Sequence, residues 1–522
     1  MNYIKKILYS ALILIVLMSC REQAQHKTPT VTSQKNTMEY YNERYRPQFH
    51  FSPEEKWMND PNGLVYHKGV YHLFYQYYPE DIVWGPMHWG HATSKDLVVW
   101  EHKSIALFPD ANGYIFSGSA VVDFDNTSKL GSDKAPPLVA IFTYHDAVAK
   151  KEGKERYETQ GVAYSLDNGE TWSKYDGNPV IGNPGEKDFR DPKVFWNEKT
   201  KAWSMLLVAV DHLQIWSSDN LLQWEKVSEF GKEQGAHGGV WECPDMFKLV
   251  VEETNEEKWV LLISINPGAP NGGSGTQYFV GDFDGETITS DQKNPRWIDW
   301  GTDNYAGVTY NNTPDNDRIF IGWMSNWNYA NKTPTQKWRS AMTLPRKLSL
   351  RKIQGDYELI NYPLENLNEL LKTPEERTII VESGAEETIS FENFNQTEIR
   401  FTTKARDFHL TFKNKLNERL MLTMDGDKKQ FLVDRSLSGK TDFEENFGGI
   451  QQMPITNLPA GQFEVRLFLD RSSIEIFINK GQYVMTAQFF PNENYTDLSI
   501  KNTGVGKLSL GDFKISTVKD IW

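Results

Sequence analysis

From Arg44 to about Leu350 the chain is a succession of short apolar or alternating runs, each cut off within a few residues by Gly, Pro, Asn or Asp. Gly63-Leu-Val-Tyr-His, Val70-Tyr-His-Leu-Phe-Tyr-Gln-Tyr and Trp203-Ser-Met-Leu-Leu-Val-Ala-Val are examples. No sustained 3.6-residue periodicity separates them, which excludes helical bundles and any α/β fold that needs an amphipathic helix between successive strands. An all-β fold of many short strands remains. A weak repeat then narrows the choice: Ser94-x-Asp96-x-x-x-Trp100, Ser165-x-Asp167-x-x-x-x-Trp172 and Ser217-x-Asp219-x-x-x-x-Trp224. Its intervals are comparable with the roughly 40–50 residues of one four-stranded propeller blade, the first allowing for an insertion. One copy per blade is explained by turn chemistry and packing between strands, so these Asp and Trp residues are read as structural rather than sugar-binding.

Beyond the propeller, Tyr362-Pro-Leu-Glu-Asn-Leu-Asn-Glu-Leu-Leu-Lys372 carries Leu364, Leu367, Leu370 and Leu371 on one helical face behind a Pro near its start, as a short linker helix would. From Arg377 onward, Phe408-His-Leu-Thr-Phe, Arg419-Leu-Met-Leu-Thr-Met and Phe463 to Ile478 alternate with period two. That is the pattern of an antiparallel sandwich, expected to rest on the propeller as a scaffold.

At the other end, Lys5 and Lys6 precede the apolar run Ile7 to Met18, too short to span a bilayer comfortably and ending in Leu17-Met18-Ser19-Cys20. This reads as a signal peptide, and Leu-x-Ser-Cys resembles the lipobox of bacterial lipoproteins, in which Cys20 is acylated and becomes the mature N-terminus. Cys243 then has no disulfide partner. Arg21 to Thr37, polar and without aromatic residues, reads as a tether. These patterns divide the chain into a signal peptide (1–19), a tether (20–43), a catalytic propeller (44–355), a linker with a short helix (356–375) and a sandwich (376–522). The expected location is a secreted, membrane-anchored lipoprotein at the outer membrane or cell surface, touching the membrane only through its lipid.

The formal net charge of −14 would repel a phosphate backbone and argues against nucleic acid as a partner. A neutral polysaccharide is indifferent to that charge, and 17 Trp with 23 Tyr supply flat amphipathic rings of the kind that stack on sugars.

Retaining glycoside hydrolysis needs two carboxyl groups about 5 Å apart, one to attack the anomeric carbon and one to protonate the leaving oxygen. Among 70 acidic residues, three stand where aromatic residues, Pro and Gly crowd a single acid. They are Asp60 in Trp57-Met-Asn-Asp-Pro-Asn-Gly63, Asp191 in Phe189-Arg-Asp-Pro192, and Glu242 in Trp241-Glu-Cys-Pro-Asp245. Asp191 and Glu242 are separated by about one blade interval and would project from equivalent points of adjacent blades into one funnel.

These three motifs resemble those of glycoside hydrolase family 32, the levanases, inulinases and invertases. The resemblance covers essentially the whole mature chain, including Phe116-Ser-Gly-Ser119, Gly322-Trp-Met-Ser-Asn-Trp327 and Asp470-Arg-Ser-Ser-Ile-Glu475. Gly85-Pro-Met-His-Trp-Gly-His91 and the residues around Glu242 are most similar to the bacterial levanase branch. The resemblance implies a five-bladed β-propeller followed by a C-terminal β-sandwich, and cleavage of β-D-fructofuranosyl linkages in levan, inulin or sucrose with release of fructose and no cofactor. Position by position it implies Asp60 as nucleophile, Glu242 as acid/base, and Asp191 as the group that binds fructose hydroxyls and stabilises the transition state. It further implies sugar contacts from Trp57, Asn59, Gln76, Trp84, Phe116, Ser117, Arg190 and Trp323.

Electrostatics would suit these roles if donors in the Pro-Asn-Gly turn held Asp60 ionised, Arg190 held Asp191 ionised, and burial beside Trp241 with repulsion from Asp60 kept Glu242 protonated. Gln160, Gly272 to Gly275 and Tyr329 to Lys332 are expected in loops at the funnel rim. His88 and His91 lack a third ligand of suitable spacing, so no metal site is assigned, and Cys243 has no base partner that would make it a nucleophile. Four alternatives stay open: an endo-acting levanase of the same family, a surface protein that binds fructan without cutting it, an enzyme of the same fold acting on other furanosides, and transfer of fructose to sugar rather than water.

Overall fold

The computed structural model describes residues 40–132 and 134–522. The signal peptide, Cys20 and nearly all of the tether lie outside the described residues. Five antiparallel sheets follow one another along the chain, each starting at its innermost strand: β1 (Lys56–His67), β2 (Tyr114–Val122), β3 (Phe189–Asn197), β4 (Val240–Val250) and β5 (Tyr305–Thr309). Each inner strand packs against the next and β5 packs against β1, so the sheets close into a ring of five blades. Trp338–Arg339, an excursion of the fifth blade, pairs parallel to Lys56 and Trp57 and fastens the ring.

The Ser-x-Asp repeat makes the outermost turn of the first three blades. Ser94 Oγ accepts from the amides of Asp96 and Leu97, while Asp96 accepts from those of Val98 and Val99. Ser165 and Asp167 act alike. In the third blade the work falls one residue later than expected, to Ser218 and Asn220 instead of Ser217 and Asp219.

Asp356–Pro363, expected in the linker, is the outer strand of the fifth blade, paired with Arg346–Ile353. The linker is therefore shorter than 356–375. Its helix is a single 3-10 segment, Glu365–Leu370, burying Leu367 and Leu370. Leu364 N–H and Lys372 N–H are bonded to Pro345 O and Thr517 O, which ties down both ends of the segment. The tether also ends earlier than residue 43: Tyr41 stacks on Trp522 at 4.1 Å, and Arg46 is buried between Glu43 and the Pro53 and Glu54 carbonyls.

The C-terminal region is a sandwich of two six-stranded sheets around one apolar core. Phe463–Asp470, Ser473–Ile478 and Tyr483–Gln488 are buried on both faces because the outer face lies on the propeller. Phe468, Phe477 and Val484 join the propeller's own core there. A buried ionic seam crosses the same interface. Glu475 accepts from Arg346 (2.7 Å) and His50 (3.1 Å), Asp470 accepts from His50 (2.8 Å), and Asp299 pairs with Arg346 (3.0 Å). Burial disfavours a charged His50, yet hydrogen bonds to Asp470 and Glu475 hold its pKa up at about 9.

Candidate active site

All five inner strands break register at the same end of the ring, with two residues opposite one on the neighbouring strand. Asn59 and Asp60 face Gln76, and Phe116 and Ser117 face Thr143. Asp191 and Pro192 face Leu207, Cys243 and Pro244 face Ile263, and Ala306 and Gly307 face Gly322. A β-bulge re-aims its side chains and tolerates a Pro that a regular ladder would reject. That is why Asp60-Pro, Asp191-Pro and Cys243-Pro can sit within strands. Asp191, Cys243 and Ala306 take positive φ (62°, 45° and 53°), conformations that cost a non-glycine residue energy and cluster at functional sites.

The bulges bring Asp60, Asp191 and Glu242 to one cavity of about 330 Å³, also lined by Asn59, Gln76, Trp84, Phe116, Ser117 and Arg190. Beneath it, the ring centre between Asn62, Lys193 and Val308 leaves only about 10 Å³, room for one water. The pocket is therefore blind.

Asp60 accepts from Ser117 Oγ (2.7 Å), Asn59 Nδ2 (3.0 Å) and the Cys243 thiol (3.6 Å). Burial raises its pKa, and the Ser117 and Asn59 donors oppose the rise. The expected donors in the Pro-Asn-Gly turn are replaced by a hydroxyl from the next blade and an amide from the preceding residue. Asp191 accepts from the Cys243 amide at 3.0 Å, and its own N–H donates to Thr143 Oγ1 at 3.0 Å. Burial, with the charges of Glu242 and Asp60, pushes Asp191 up to about 8. Arg190 opposes the rise, second only to burial in its effect, but does not keep Asp191 ionised as expected: only Nε approaches, at 3.9 Å, while the rest of the guanidinium bonds Asp188, Glu158 and Glu242.

Glu242 accepts from Arg190 Nη2 at 3.0 Å and from the Tyr305 hydroxyl. Burial raises its pKa and Asp60 adds to the rise, against Arg190 and Tyr305. Trp241 has no part in this, since its ring packs into the apolar layer with Phe279 and Phe230. The empty site thus holds fewer than three negative charges on its three carboxyl groups, and they titrate as a unit.

Two expected sugar contacts do not reach the cavity. Trp57 and Trp323 are wholly buried; Trp57 Nε1 donates to Asn59 Oδ1 at 2.7 Å, and Trp323 packs between Trp57, Tyr305 and Trp327. Trp327, beyond the end of the strand that carries Trp323, lines the cavity in their place, alongside Trp84. Trp84, 38% exposed, stands at the mouth, its amide bonded to Asn331 Oδ1 at 2.8 Å. Asn331, within the expected rim loop Tyr329 to Lys332, lines the cavity, as do Lys150 and Asn266, which carry no signal in the sequence. Gln160 is not at the rim: fully buried, it donates to Phe189 O and accepts from Thr143, bracing the third bulge. His91 pairs with buried His72 and His88 donates to Pro86 O, so the two histidines serve separate contacts. The Cys243 thiol, raised well above its ordinary pKa by burial and the three carboxylates, is a donor and not a nucleophile.

A chain with this ring, sandwich and trio of acids has close relatives. It is similar to a levanase from Bacillus subtilis, 45% identical over 92% of this chain and 72% of the relative. It is also similar to an extracellular exo-inulinase from Aspergillus awamori, 41% identical over 89% of this chain and 93% of the relative. The crystal structure of that exo-inulinase superposes with a TM-score of 0.85 at 39% identity, covering 92% of this chain and 100% of the other. A fructofuranosidase variant from Schwanniomyces occidentalis, complexed with fructosylnystose, gives 0.84 at 32% identity over 92% of this chain and 99% of the other. The glycosyl hydrolases family 32 N-terminal domain matches residues 50–363 and the family 32 C-terminal domain residues 366–517, a division that falls at the end of the fifth blade. The chain belongs to glycosyl hydrolases family 32 and is a glycoside hydrolase acting on fructosides.

Proposed function

We propose that this chain is a lipid-anchored, retaining exo-β-fructosidase that releases terminal fructose from levan- or inulin-type fructans. The observation that carries the reading is the meeting of Asp60, Asp191 and Glu242, from three different blades, in one blind cavity. A pocket closed at its base suits a single terminal fructosyl residue. The names of the relatives, levanase and exo-inulinase, and the oligofructoside held by a similar fold support the substrate class.

In this reading Asp60 attacks the anomeric carbon while Glu242 gives its proton to the departing glycosidic oxygen, leaving a fructosyl ester on Asp60. Glu242 then takes a proton from water, which attacks the same carbon and frees Asp60. Asp191 accepts hydrogen bonds from fructose hydroxyls as the ring becomes oxocarbenium-like, and Gln76, Phe116 and Trp327 supply walls. No cofactor takes part. Lipidation at Cys20 would hold the enzyme at the outer membrane or cell surface; the support is Leu17-Met18-Ser19-Cys20 at the end of the apolar run.

The test is product analysis on levan, inulin and sucrose in aqueous methanol. Fructose and methyl β-fructofuranoside are expected as the only small early products from levan and inulin, joined by one glucose per cleavage from sucrose. A ladder of oligosaccharides would overturn exo attack, and methyl α-fructofuranoside would overturn retention.

A further inference from the structure

Behind the cavity lies a charged group that the reaction above leaves unused. Glu158 opens the strand Glu158–Ser165 opposite His145 and is completely buried. Its Oε1 meets His145 Nδ1 at 3.0 Å and Arg190 Nη1 at 3.3 Å, whereas Oε2 has no hydrogen-bond partner. A buried carboxylate oxygen without a donor is costly, and in a stable fold such a group is retained for what it does to its neighbours. Asp188 takes the same Nη1 at 2.6 Å, and Arg190 Nη2 goes on to Glu242 at 3.0 Å. His145 in turn lies flat on Phe116 in the cavity wall, 4.1 Å between ring centres and 8° between planes.

We propose that Glu158 and Asp188 form a carboxylate clamp on Arg190, orienting its guanidinium toward Glu242 and absorbing enough of its charge that Glu242 can still hold a proton. They are positioning residues and touch no substrate. An unclamped arginine 3.0 Å from Glu242 would stabilise the carboxylate and spoil it as an acid. Burial works against the charge of Arg190, but Glu158, Glu242 and Asp188 outweigh it and hold it protonated, with Glu158 the strongest of the three. The other ionisable groups facing Glu242 are Asp60, Asp191, Tyr305 and Cys243, while Tyr157 and Lys150 face Asp188. None of these offsets the arginine as a paired anion on its far side does.

This inference rests on the reading of Glu242 as proton donor, and the experiment separates the two. Initial rates against pH are measured for wild type, Glu158→Gln, Asp188→Asn and Glu242→Gln, on a fructo-oligosaccharide and on β-D-fructofuranosyl fluoride, whose leaving group needs far less protonation. Each clamp variant removes one negative charge near Glu242 without changing shape. The basic limb on the oligosaccharide should move down by about one pH unit, a tenfold loss on that limb with little loss below it. The fluoride should lose no more than a few-fold in rate. Asp188 is partly exposed and has φ 48°, which Asn tolerates, so Asp188→Asn carries the test if Glu158→Gln does not fold. A basic limb that stays in place, or equal losses at every pH and on both donors, overturns the clamp. If Glu242→Gln itself keeps the wild-type basic limb, the assignment of Glu242 falls and the clamp with it.

Discussion

Replacing Ser117 by Ala tests whether the second blade exists partly to keep Asp60, the nucleophile of the mechanism proposed above, ionised. The hydroxyl lies 2.7 Å from Asp60 Oδ2, and the carboxylate's other donors are the Asn59 amide and a weak thiol at 3.6 Å. Hydrogen bonds to charged groups contribute about 1.5–3 kcal/mol, and one pKa unit corresponds to about 1.4 kcal/mol, so loss of the hydroxyl should raise the Asp60 pKa by about 1–2 units. Ser117 faces the cavity, where water can replace part of the lost bond, which favours the lower end of that range. The sign follows from the first chemical step, which needs Asp60 ionised. The acidic limb in kcat/KM should therefore move to higher pH, and by more than the basic limb moves, since the three carboxyl groups titrate together. The assay is kcat/KM on a fructo-oligosaccharide from pH 3 to 9 (roughly the span of the carboxylates' pKa values), with thermal unfolding as a check on folding. If Ser117 instead serves the sugar alone, KM rises equally at every pH. An acidic limb that is unmoved, or displaced to lower pH, refutes the electrostatic reasoning.

Asp60→Ala should abolish the fructosyl-enzyme with any donor, whereas Glu242→Ala should lose about 10²–10⁴-fold on fructan and recover much of it on fructosyl fluoride; equal, near-wild-type rates in both would remove the mechanism. Asp191→Asn should lower kcat more than it raises KM, and the reverse pattern in steady-state kinetics would make Asp191 a ground-state binding residue. Glu475→Gln, which strips a buried partner from Arg346 and His50, should cost about 3–5 kcal/mol in chemical unfolding. The His50 contribution has its own pH window. With a folded pKa of about 9 against an ordinary 6.5, it is complete below 6.5 and lost as pH rises through 9, so the unfolding midpoints of wild type and His50→Gln should converge over that range. Cys20→Ala should release or mislocalise the protein while leaving it as active as a version starting near Met38, which lacks the anchor altogether; wild type found wholly in the medium would count against lipidation.

The fold was largely legible because blade and sandwich both write themselves as short alternating runs, and the three acids because each stands within two residues of a Pro in a strand-like stretch. That Pro marks the bulge, a signal usable without any family resemblance: Asp60-Pro61, Asp191-Pro192 and Cys243-Pro244 would each break a regular ladder. The bulges on β2 and β5, with no Pro at the break, gave no comparable warning of Ser117 or Tyr305. Trp323 and Trp327 illustrate another limit. Both lie in one aromatic motif, and only knowing where the strand ends tells which ring faces the sugar and which the core. Lys150 reaches the cavity from the helix Ala147–Lys151, capped by Asp146 in the insertion between two strands, and no local pattern says which way such an insertion folds. The charges were legible as residues but not as states. Arg190 stands next to Asp191 in sequence, yet its guanidinium bonds belong mainly to three other acids, so adjacency along the chain predicted the wrong partner.

The five register breaks have a consequence for how such a ring changes over generations. The paired residues that hold the sheets together lie on either side of each break, and the two residues inside it are the ones the ladder does not demand. Asn59, Asp60, Phe116, Ser117 and Asp191 all occupy those slots. Substitution there meets the sugar before it meets the scaffold. These five slots can therefore change while the strands keep their partners, whereas Gln76, Arg190 and Glu242 line the same cavity from paired positions and are bound to the scaffold.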